Sequence, residues 1–381
     1  MYKLCWITDA PSPYKMEMFK CLAKYFDFTA IFVEKYNSIR DESWKNLDDG
    51  TIKTVYLYGD VLKNYKILEE FSCNNEILIN SYYTNINSMM LVELFKKQKK
   101  LVFMDADGGM VVERPAIVKK IISFIMNRNQ YFFSSSRITD EYFKYFGVKE
   151  NKIYRYHFSS LSKRDIENNL KLREKSKEIK KELNIEERYV ILSVGQQIER
   201  KGYDILTKAF VELGRNDVRL IVVGGQPLPI VQKILNENRF DNVTFVNYLE
   251  KNRLNKYFAI ADIFALSTRY DIWGLVINEA MSFGLPIISS DKCVAAMEFS
   301  ELFNNAIICN LNDTQCFKDS IDRLLKDGEL RKMLGNNSLI GIKEYTVEKN
   351  AEDIYKIIYK IMNNYCVQRH NNTNLNERND A

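Results

Sequence analysis

Short apolar runs alternate with longer amphipathic segments along almost the whole chain. In the first half the apolar runs cover residues 3–7, 29–33, 76–79, 101–104 and 131–134. Between them, helical periodicity covers residues 14–26, 88–97 and 116–127. Near-continuous apolar strands separated by helices are typical of a parallel sheet that is covered on both faces. The first half therefore predicts one doubly wound domain.

A second series of apolar runs begins near residue 189 and contains YVILSVG, VRLIVVGG, VTFVNY, IFALS, PIISS and AIIC. Two such series in tandem predict an α/β protein with two Rossmann-like domains. The chain turns polar and charged after KIYRYHF, which marks the boundary between them. We predict domains over residues 1–160 and 161–346, a helix over 347–366 and a disordered polar tail over 367–381.

Composition narrows the class of protein. The chain has 381 residues, of which 46% are hydrophobic and 28% charged, so it is globular and long enough for two or three domains. A formal net charge of +5 is modest, and we expect no nucleic-acid partner. The seven cysteines lack C-x-x-C spacing and predict reduced thiols in a cytosolic protein. The apolar start is too short for a signal peptide, and no run approaches the ~18 apolar residues of a spanning helix.

The first candidate site follows the strand in VILSVGQQIERKGYDILTKAF. Ligands of doubly wound sheets bind outside the carboxyl ends of the strands. Gly195 permits a tight exit, and Arg200 and Lys201 precede a helix. Two fixed cations beside the positive end of a helix dipole suit a diphosphate. The alternative is a solvated charged loop.

The second candidate site is RYDIWGLVINEAMSFGLPIIS, in which a loop leads into a helix that opens at Gly274. The backbone N–H groups of residues 274–276 can face an anion. Glu279, near the first helical turn, can accept hydrogen bonds from ribose hydroxyls, and Asp271 can reach a sugar beyond the phosphates. The alternative is that an acid near a helix N-terminus stabilises the dipole by roughly 0.3–1 kcal/mol without any ligand.

This stretch resembles the E-x7-E motif of retaining GT-B glycosyltransferases of the large family four. The motif there continues with Glu-Ala-Met, a Gly, and Pro before a short strand, and the chain has DIWGLVINEAMSFGLPIIS. SVGQQIERKGYDILTKAF, VVGGQP, VTFVNYL and YFAIADIFALSTR are similar to the same family in order and spacing. The resemblance is specific over about residues 185–300. It implies two Rossmann-like domains that face a central cleft, with the C-terminal helix crossing back to the first domain.

The resemblance implies sugar transfer from a nucleotide diphosphate donor, UDP- or GDP-linked, with retention at the anomeric carbon and with neither metal nor cofactor. Arg200 and Lys201 would then neutralise the diphosphate, Glu279 would hold the ribose and Asp271 the donor sugar. The other donor-binding residues are Gly195, Trp273, Gly274, Leu275 and Val276. The acceptor would be a saccharide or a lipid-linked saccharide, in cell-surface polysaccharide biosynthesis.

The chain departs from the family in four places. Asp271 replaces the first Glu of the motif, Gln196 stands where many relatives have Arg, and TDAPSPYKMEMF replaces a Gly-rich loop. The acceptor-side His of many relatives has no counterpart, because the two histidines are His157, near the domain junction, and His370, in the tail. We assign to the acceptor side Ser12, Pro13, Tyr14, Asp105, Asp107, Gly108 and Gly109. Asp105 and Asp107 imitate a D-x-D metal motif, but we interpret them as lining of the cleft.

The basic run at residues 96–100 and the segment RPAIVKKIISFIMNR predict a surface that binds anionic lipid, with an ordinary solvated helix as the alternative. We therefore expect a cytoplasmic protein that is peripheral on the inner face of the membrane. A catalytically inactive nucleotide-binding scaffold and a non-hydrolysing nucleotide-sugar epimerase remain alternatives. A dinucleotide-dependent dehydrogenase is disfavoured, since no G-x-G-x-x-G follows the first strand of either domain.

Overall fold

The computed structural model describes residues 1–34, 47, 49–57, 59 and 61–379, without the side chains of 61, 62 and 366–379. Its strands are β1 (Lys3–Thr8), β2 (Asp27–Phe32), β3 (Lys53–Tyr56), β4 (Ile77–Asn80), β5 (Leu101–Ala106), β6 (Tyr131–Ser134), β7 (Ile153–Arg155), β8 (Tyr189–Val194), β9 (Val218–Val223), β10 (Val243–Val246), β11 (Ile263–Leu266), β12 (Ile287–Ser290) and β13 (Ala306–Cys309).

Helices connect nearly all of these strands. They are α1 (Pro13–Leu22), α2 (Val61–Asn74), α3 (Ile86–Lys97), α4 (Ala116–Met126), α5 (Arg137–Tyr145), α6 (Lys163–Glu174), α7 (Ser176–Glu182), α8 (Tyr203–Leu213), α9 (Pro229–Asn238), α10 (Lys251–Ile260), α11 (Leu275–Ser282), α12 (Val294–Phe303), α13 (Thr314–Lys326), α14 (Gly328–Ile342) and α15 (Val347–Asn379).

The first sheet has the order β3-β2-β1-β4-β5-β6-β7, and all of its strand pairs are parallel. The strand predictions for the first half are confirmed. Two strands were not predicted, β3 and β7, and both are short edge strands without a fully buried residue. Edge strands pack on fewer neighbours, so their sequences carry a weaker apolar signal.

The second sheet has the order β10-β9-β8-β11-β12-β13 and is likewise parallel. Its six strands match the six predicted runs. In each sheet the strand order reverses beside the first strand, between β1 and β4 and between β8 and β11. Ligands of open parallel sheets bind at such switch points, beyond the carboxyl ends of the strands.

The two domains are in direct contact. The ring of Phe158, just after β7, lies edge-on to Trp273 of the second domain with centroids 5.5 Å apart. The backbone N–H of Arg137 donates to Glu298 on α12 at 3.1 Å. The predicted boundary at residue 160 lies between the last strand of the first sheet and the first strand of the second.

The C-terminal helix crosses back to the first domain, as predicted. Tyr355 of α15 stacks on Tyr25, which follows α1, with ring centroids 4.6 Å apart. His157 Nδ1 lies 2.5 Å from a carboxylate oxygen of Asp353 on α15, so this histidine joins the domain junction to the helix. The helix runs past residue 366 to Asn379, into the segment predicted to be disordered. Residues 380 and 381 lie outside the described residues.

The prediction of reduced thiols throughout is wrong for one pair. Cys309, at the end of β13, and Cys316, in the first turn of α13, form a disulfide. Their Cα atoms are 5.7 Å apart, within the usual range for a disulfide. The turn between β13 and α13 creates this proximity, which a separation of seven residues does not reveal. Within the described part of the chain, no helix is long and apolar enough to cross a membrane.

Candidate active site

A cavity of about 450 Å³ lies between the two domains, and we call it the cleft cavity. Three residues of the first domain and ten of the second line it. They are Tyr14, Asp107, Phe158, Gly195, Gln196, Arg200, Lys201, Asp271, Ile272, Trp273, Gly274, Leu275 and Val276. The structure thus brings both motifs of the second domain together, opposite two of the acceptor-side residues.

The loop after β8 presents the two cations. It passes through a 3-10 turn, Glu199–Lys201, and reaches α8 at Gly202, whose φ is +67°. A Cβ at this glycine would lie 2.0 Å from the backbone oxygen of Ser267, so only glycine lets the loop approach β11 this closely. Lys201 is buried at the cavity wall, whereas the Arg200 side chain is 43% exposed.

Lys201 and Asp271 are paired with each other. The Lys201 ammonium donates to Asp271 Oδ2 at 2.7 Å, and the Arg200 guanidinium lies 3.7 Å from the same oxygen. Both partners of the shorter contact are less than 10% exposed. Asp271, one methylene shorter than the Glu of the family motif, thus pairs with the two cations in the absence of a ligand. A bound anion would share these cations with the Asp271 carboxylate.

Sequence reasoning missed Arg269, which fastens the two loops together. Its guanidinium binds both carboxylate oxygens of Asp204 on α8, at 2.8 and 2.7 Å, and also donates to the backbone oxygen of Glu199 at 2.7 Å. The Arg200 side chain donates in return to the oxygen of Tyr270 at 2.5 Å. A bidentate Arg–carboxylate contact fixes orientation as well as distance, so Arg269 holds the cations in place. Its position at the start of RYDIWGLVINEAMSFGLPIIS was the only signal in the sequence.

The N-terminus of α11 faces the cavity. Gly274 caps the helix with a φ of +96°, and a Cβ there would lie 2.7 Å from Cys293 Sγ. The first backbone N–H groups of a helix have no intrahelical acceptor and attract anions. The Trp273 indole is buried against Phe158 and donates to Asn278 Oδ1 at 2.9 Å, so it sets the position of the loop.

Glu279 lies one turn further along α11 and is not among the residues that line the cleft cavity. Its carboxylate has no hydrogen-bond or ion-pair partner among the described residues, and its side chain is partly buried. Burial raises the pKa of Glu279 to about 7, although the nearby ammonium of Lys251 opposes this shift. An acid whose charge is this poorly compensated is suited to a polar ligand.

On the first-domain wall, Asp107 stands directly after β5 and contacts two groups from α1. The Tyr14 hydroxyl donates to Asp107 Oδ2 at 2.5 Å, and the Lys15 ammonium lies 3.6 Å from the same oxygen. Lys15 also donates to Thr8 at 2.8 Å and lies 3.5 Å from Asp9. Burial lowers the pKa of Lys15, but Asp107, Tyr14 and Asp9 outweigh burial and raise it above its usual value. Sequence reasoning missed Lys15, although it adjoins Tyr14.

Asp105, the other acid of the D-x-D pair, points into the domain. It accepts hydrogen bonds from Tyr156 at 2.8 Å and from Ser81 at 2.9 Å. Burial, with the charge of Asp107, raises the pKa of Asp105 to about 7. Asp107 therefore faces the cleft cavity, whereas Asp105 does not line it and instead lines a neighbouring cavity of about 320 Å³. Among the described residues, no group of three or more His, Cys, Asp or Glu side chains could hold a metal ion.

Of the two glycines after Asp107, Gly108 brings the domains close together, whereas Gly109 packs on Tyr142 of the first domain. A Cβ on Gly108 would lie 1.8 Å from the backbone oxygen of Ile272 across the cleft, and one on Gly109 would lie 2.7 Å from the ring of Tyr142. Both glycines were assigned to the acceptor side, and each of them makes its close approach to protein atoms. Ser12 and Pro13 cap and open α1 and are not among the lining residues of the cleft cavity.

Residues 174–339 match the model of a family described as glycosyl transferases group 1. The second domain is similar to this family. An uncharacterized glycosyltransferase of Haemophilus influenzae is 28% identical over 173 residues, which are 44% of this chain and 48% of that protein. The match therefore spans about half the length of this curated relative. These matches support the family that the D-x7-E stretch resembles.

Solved structures extend the similarity to the whole fold. A glycosyltransferase from Rickettsia africae has a TM-score of 0.76 at 16% identity, over 94% of this chain and 99% of that one. HepE of Anabaena, solved in complex with UDP, has a TM-score of 0.77 at 13% identity, over 94% of this chain and 100% of that one. At such identities the likeness concerns the fold, and the predicted GT-B architecture is confirmed.

Proposed function

We propose that this protein is a retaining glycosyltransferase that uses a nucleotide diphosphate sugar, UDP- or GDP-linked, without a metal. The acceptor is a saccharide or a lipid-linked saccharide, and the pathway is cell-surface polysaccharide biosynthesis. The observation that carries the proposal is the cleft cavity. There, Arg200, Lys201 and the N-terminus of α11 converge on a space that Asp107 faces from the first domain.

The donor fits this geometry in one orientation. The diphosphate lies against Arg200, Lys201 and the N–H groups at the start of α11, where cations and the helix dipole favour an anion. Its ribose extends towards Glu279, whose carboxylate lacks a protein partner among the described residues. The sugar lies on the side of Asp271, which also lines the cavity.

Transfer needs no protein nucleophile in this proposal. The bond from the anomeric carbon to the diphosphate oxygen breaks while the acceptor hydroxyl attacks from the same face, and the departing diphosphate takes the hydroxyl proton. Negative charge grows on the leaving group as this bond breaks. Lys201 and the α11 N-terminus therefore stabilise the transition state more strongly than the bound donor in its ground state. The Lys201–Asp271 contact keeps the ammonium aimed into the cavity before the donor arrives.

The experiment is a screen of UDP- and GDP-sugars for acceptor-independent hydrolysis and for transfer to alkyl glycosides, with the anomeric configuration of the product read by NMR. We expect one donor class to react and the product to keep the donor's configuration. An inverted product would contradict the retaining mechanism. Nucleotide binding without any turnover would favour the inactive scaffold, and interconversion of epimeric donors would favour the epimerase.

We also propose that the protein is cytoplasmic and binds the inner membrane face through α4. Ile117, Ile121 and Phe124 lie on one face of this helix and are 70%, 55% and 69% exposed. Met126 is the one fully buried residue among the described side chains of α4. Exposed Lys120, which adjoins Ile121 on this helix, favours anionic lipid. Lys100, in contrast, is engaged with backbone oxygens of Ser72 and Cys73 and is not available to lipid.

Vesicle flotation tests the membrane proposal. We expect binding to vesicles that contain phosphatidylglycerol, weaker binding to neutral vesicles, and loss of binding in the Ile117→Asn/Phe124→Asn double variant. Ile340→Asn, at a site 63% exposed on α14 of the other domain, is the matched control and keeps binding. Equal flotation of wild type and double variant would exclude α4 as the contact.

A further inference from the structure

Lys15, in the first turn of α1, is a buried cation to which the proposed reaction gives no role. Its side chain is 8% exposed. Burial of an ammonium is unfavourable unless the group is paired, and the dipole of α1 disfavours a cation near the N-terminus of the helix. The first turn of α1 contains no acidic residue that would offset this effect. Lys15 therefore depends on acceptors from other elements.

Three acceptors at two strand ends surround the Lys15 ammonium. It donates to Thr8 Oγ1 at 2.8 Å and lies 3.5 Å from Asp9 Oδ1 and 3.6 Å from Asp107 Oδ2. The Thr8 hydroxyl, which is buried, in turn donates to Asp9 Oδ1 at 3.0 Å. Thr8 and Asp9, at the carboxyl end of β1, therefore fix the ammonium beside Asp107, which follows β5.

The two oxygens of the Asp107 carboxylate have different surroundings. Oδ2 accepts a hydrogen bond from the Tyr14 hydroxyl at 2.5 Å and faces the Lys15 ammonium at 3.6 Å. Oδ1 makes no hydrogen bond with any of the residues that the structure describes. The Asp107 side chain is 24% exposed and lines the cleft cavity. Because Tyr14 and Lys15 occupy Oδ2, Oδ1 is the oxygen that can accept a hydrogen bond from a ligand.

The cavities around Lys15 show on which group it can act. Lys15 does not line the cleft cavity. It lines a smaller, polar cavity of about 210 Å³, together with Asp107 and two further acids, Asp9 and Glu34. Three carboxylates around one ammonium disfavour the entry of an anionic group of a ligand. The group through which Lys15 can act is therefore the carboxylate of Asp107.

The charge of Lys15 also compensates neighbouring carboxylates. Burial and the charge of Asp107 raise the pKa of Asp105 to about 7, and the ammonium of Lys15 opposes this shift. A cation beside a carboxylate favours its charged form, and a charged acceptor makes a hydrogen bond roughly twice as strong as a neutral one. Removing the ammonium would therefore weaken the hydrogen bond that Asp107 Oδ1 can accept.

We propose that Lys15 is a positioning residue for sugar transfer. Its ammonium holds Oδ2 of Asp107, so that Oδ1 accepts a hydrogen bond from a hydroxyl of the acceptor in the cleft. The inference rests on the proposed function and adds to that reaction a residue that does not line the cleft cavity. It holds equally for a free saccharide and for a lipid-linked saccharide as acceptor.

A double-mutant cycle on the full-length protein tests this role, with Lys15→Met, Asp107→Asn and the variant that combines them. Transfer from the UDP- or GDP-sugar that reacts in the donor screen to an alkyl glycoside gives kcat and the donor KM. We expect Lys15→Met to lower kcat by about tenfold, the lower part of the range for misplaced groups, at unchanged donor KM. In the Asp107→Asn background the same substitution should change kcat by less than about twofold, because Lys15 acts through Asp107.

A matched variant separates the effect of Lys15 from that of any lysine on the same helix. Lys20→Met removes an ammonium of α1 that pairs with Glu17 at 3.0 Å and with Asp49 at 2.8 Å. Neither of these acids lines the cleft cavity, so Lys20→Met should leave kcat unchanged. Melting temperatures show which of the variants fold.

Thr8→Val takes the place of Lys15→Met in the cycle if Lys15→Met does not fold. Valine keeps the branched shape of the threonine side chain and removes the hydroxyl that accepts from Lys15 and donates to Asp9. Loss of this hydrogen bond should lower kcat for transfer by about twofold to tenfold. In the Asp107→Asn background Thr8→Val should have no further effect on kcat.

Three results would overturn the inference. One is wild-type kcat for transfer in the folded Lys15→Met or Thr8→Val variant. Another is an equal loss of kcat in the wild-type and Asp107→Asn backgrounds, which would show that Lys15 acts on the fold or on a substrate and not through Asp107. The third is a raised donor KM at unchanged kcat in Lys15→Met, which would place Lys15 at the donor site.

Failure of this inference is distinguishable from failure of the proposed function. A protein that transfers sugar equally well with and without the Lys15 ammonium keeps the proposed function and loses this role of Lys15. A protein that neither hydrolyses nor transfers any UDP- or GDP-sugar loses the proposed function, and the positioning role of Lys15 with it.

Discussion

The two walls of the cleft carry charge in different ways. On the second-domain wall, Arg200, Lys201 and Asp271 come from two loops that Arg269 fastens together, and the cations lie at the cavity surface. On the first-domain wall, Asp107 belongs to a network that also holds Lys15. That network includes residues just after the carboxyl ends of β1, β4, β5 and β7.

This difference indicates that the two walls have different roles in the reaction. A loop pair with fixed cations stabilises an anion that is already charged and becomes more charged during reaction. A hydrogen-bonded network with a single carboxylate facing the cleft can instead orient a neutral hydroxyl. We therefore expect variants of the second-domain wall to affect leaving-group departure, and variants of the first-domain wall to affect acceptor use at intact donor binding.

The largest effect is expected for Lys201→Ala. Removing the ammonium takes away transition-state stabilisation of the leaving diphosphate and should lower kcat by about 10²–10³. Lys208, exposed on α8, supplies the matched control, and Lys208→Ala should leave kcat unchanged. Steady-state kinetics with the accepted donor is the measurement. An unchanged kcat with a raised KM would reduce Lys201 to a binding residue.

Asp107→Asn is expected to have the next largest effect and to distinguish the role of the first-domain wall from that of the second-domain wall. Loss of the carboxylate misplaces the acceptor hydroxyl, which we expect to lower the transfer rate on the order of 10². Nucleotide affinity should not change. Asp105→Asn is the comparison, because Asp105 does not line the cleft cavity. The amide keeps only one of the two oxygens that accept from Tyr156 and Ser81, so the variant should mainly lower the free energy of unfolding, by about 1–3 kcal/mol. Equal kinetic effects of the two variants would contradict the assignment of Asp107 to the acceptor.

The second-domain wall could be predicted from sequence because its parts are contiguous. Gly195, Arg200 and Lys201 lie within one quoted stretch, and Asp271 to Glu279 lie within another. What could not be predicted is the direct contact of Lys201 with Asp271, since these residues are 70 positions apart. The sequence shows that Asp271 replaces the Glu of the family motif. The consequence of this replacement depends on how closely the loops that carry Lys201 and Asp271 approach each other.

The first-domain wall was predicted only in part. Tyr14, Asp105 and Asp107 were identified by their place after apolar runs, whereas Lys15, Ser81 and Tyr156 were not. The Asp105 carboxylate meets Tyr156 only after β7 has joined the sheet, 51 residues along the chain. β7 itself is too short and exposed to be recognised from its sequence. A network built from four strand ends leaves no local pattern.

Gly108→Ala tests whether the two walls must touch. The new Cβ would collide with the backbone oxygen of Ile272, so the domains or the loop have to separate. We expect the transfer rate to fall about tenfold, the lower part of the range for misplaced groups, while the protein stays folded. Gly328→Ala is the control, because its Cβ would meet only Arg331 Nη2 at 3.7 Å. Unchanged kinetics in Gly108→Ala would show that this contact is dispensable.

The smallest effect expected is a pH dependence that Glu279 imposes on donor binding. Its pKa is raised to about 7, and hydrogen bonds from ribose hydroxyls require the ionised carboxylate. Donor affinity should therefore be full above pH 7 and fall by at most tenfold per pH unit below it. The pH profile of donor affinity in Glu279→Gln, which lacks this carboxyl group, reports the titration of the nucleotide phosphate alone. It is the reference for the wild-type profile. Parallel pH profiles for wild type and variant would remove Glu279 from the ribose site.

The central claim is that a nucleotide diphosphate binds in the cleft cavity against Lys201. Calorimetric titration of UDP, GDP and ADP into wild type and Lys201→Ala tests it most directly. We predict that one of the nucleotides binds the wild type selectively and that this binding weakens in the variant but not in Lys208→Ala. Absence of binding by all three nucleotides, or equal affinity of wild type and Lys201→Ala, would contradict the account.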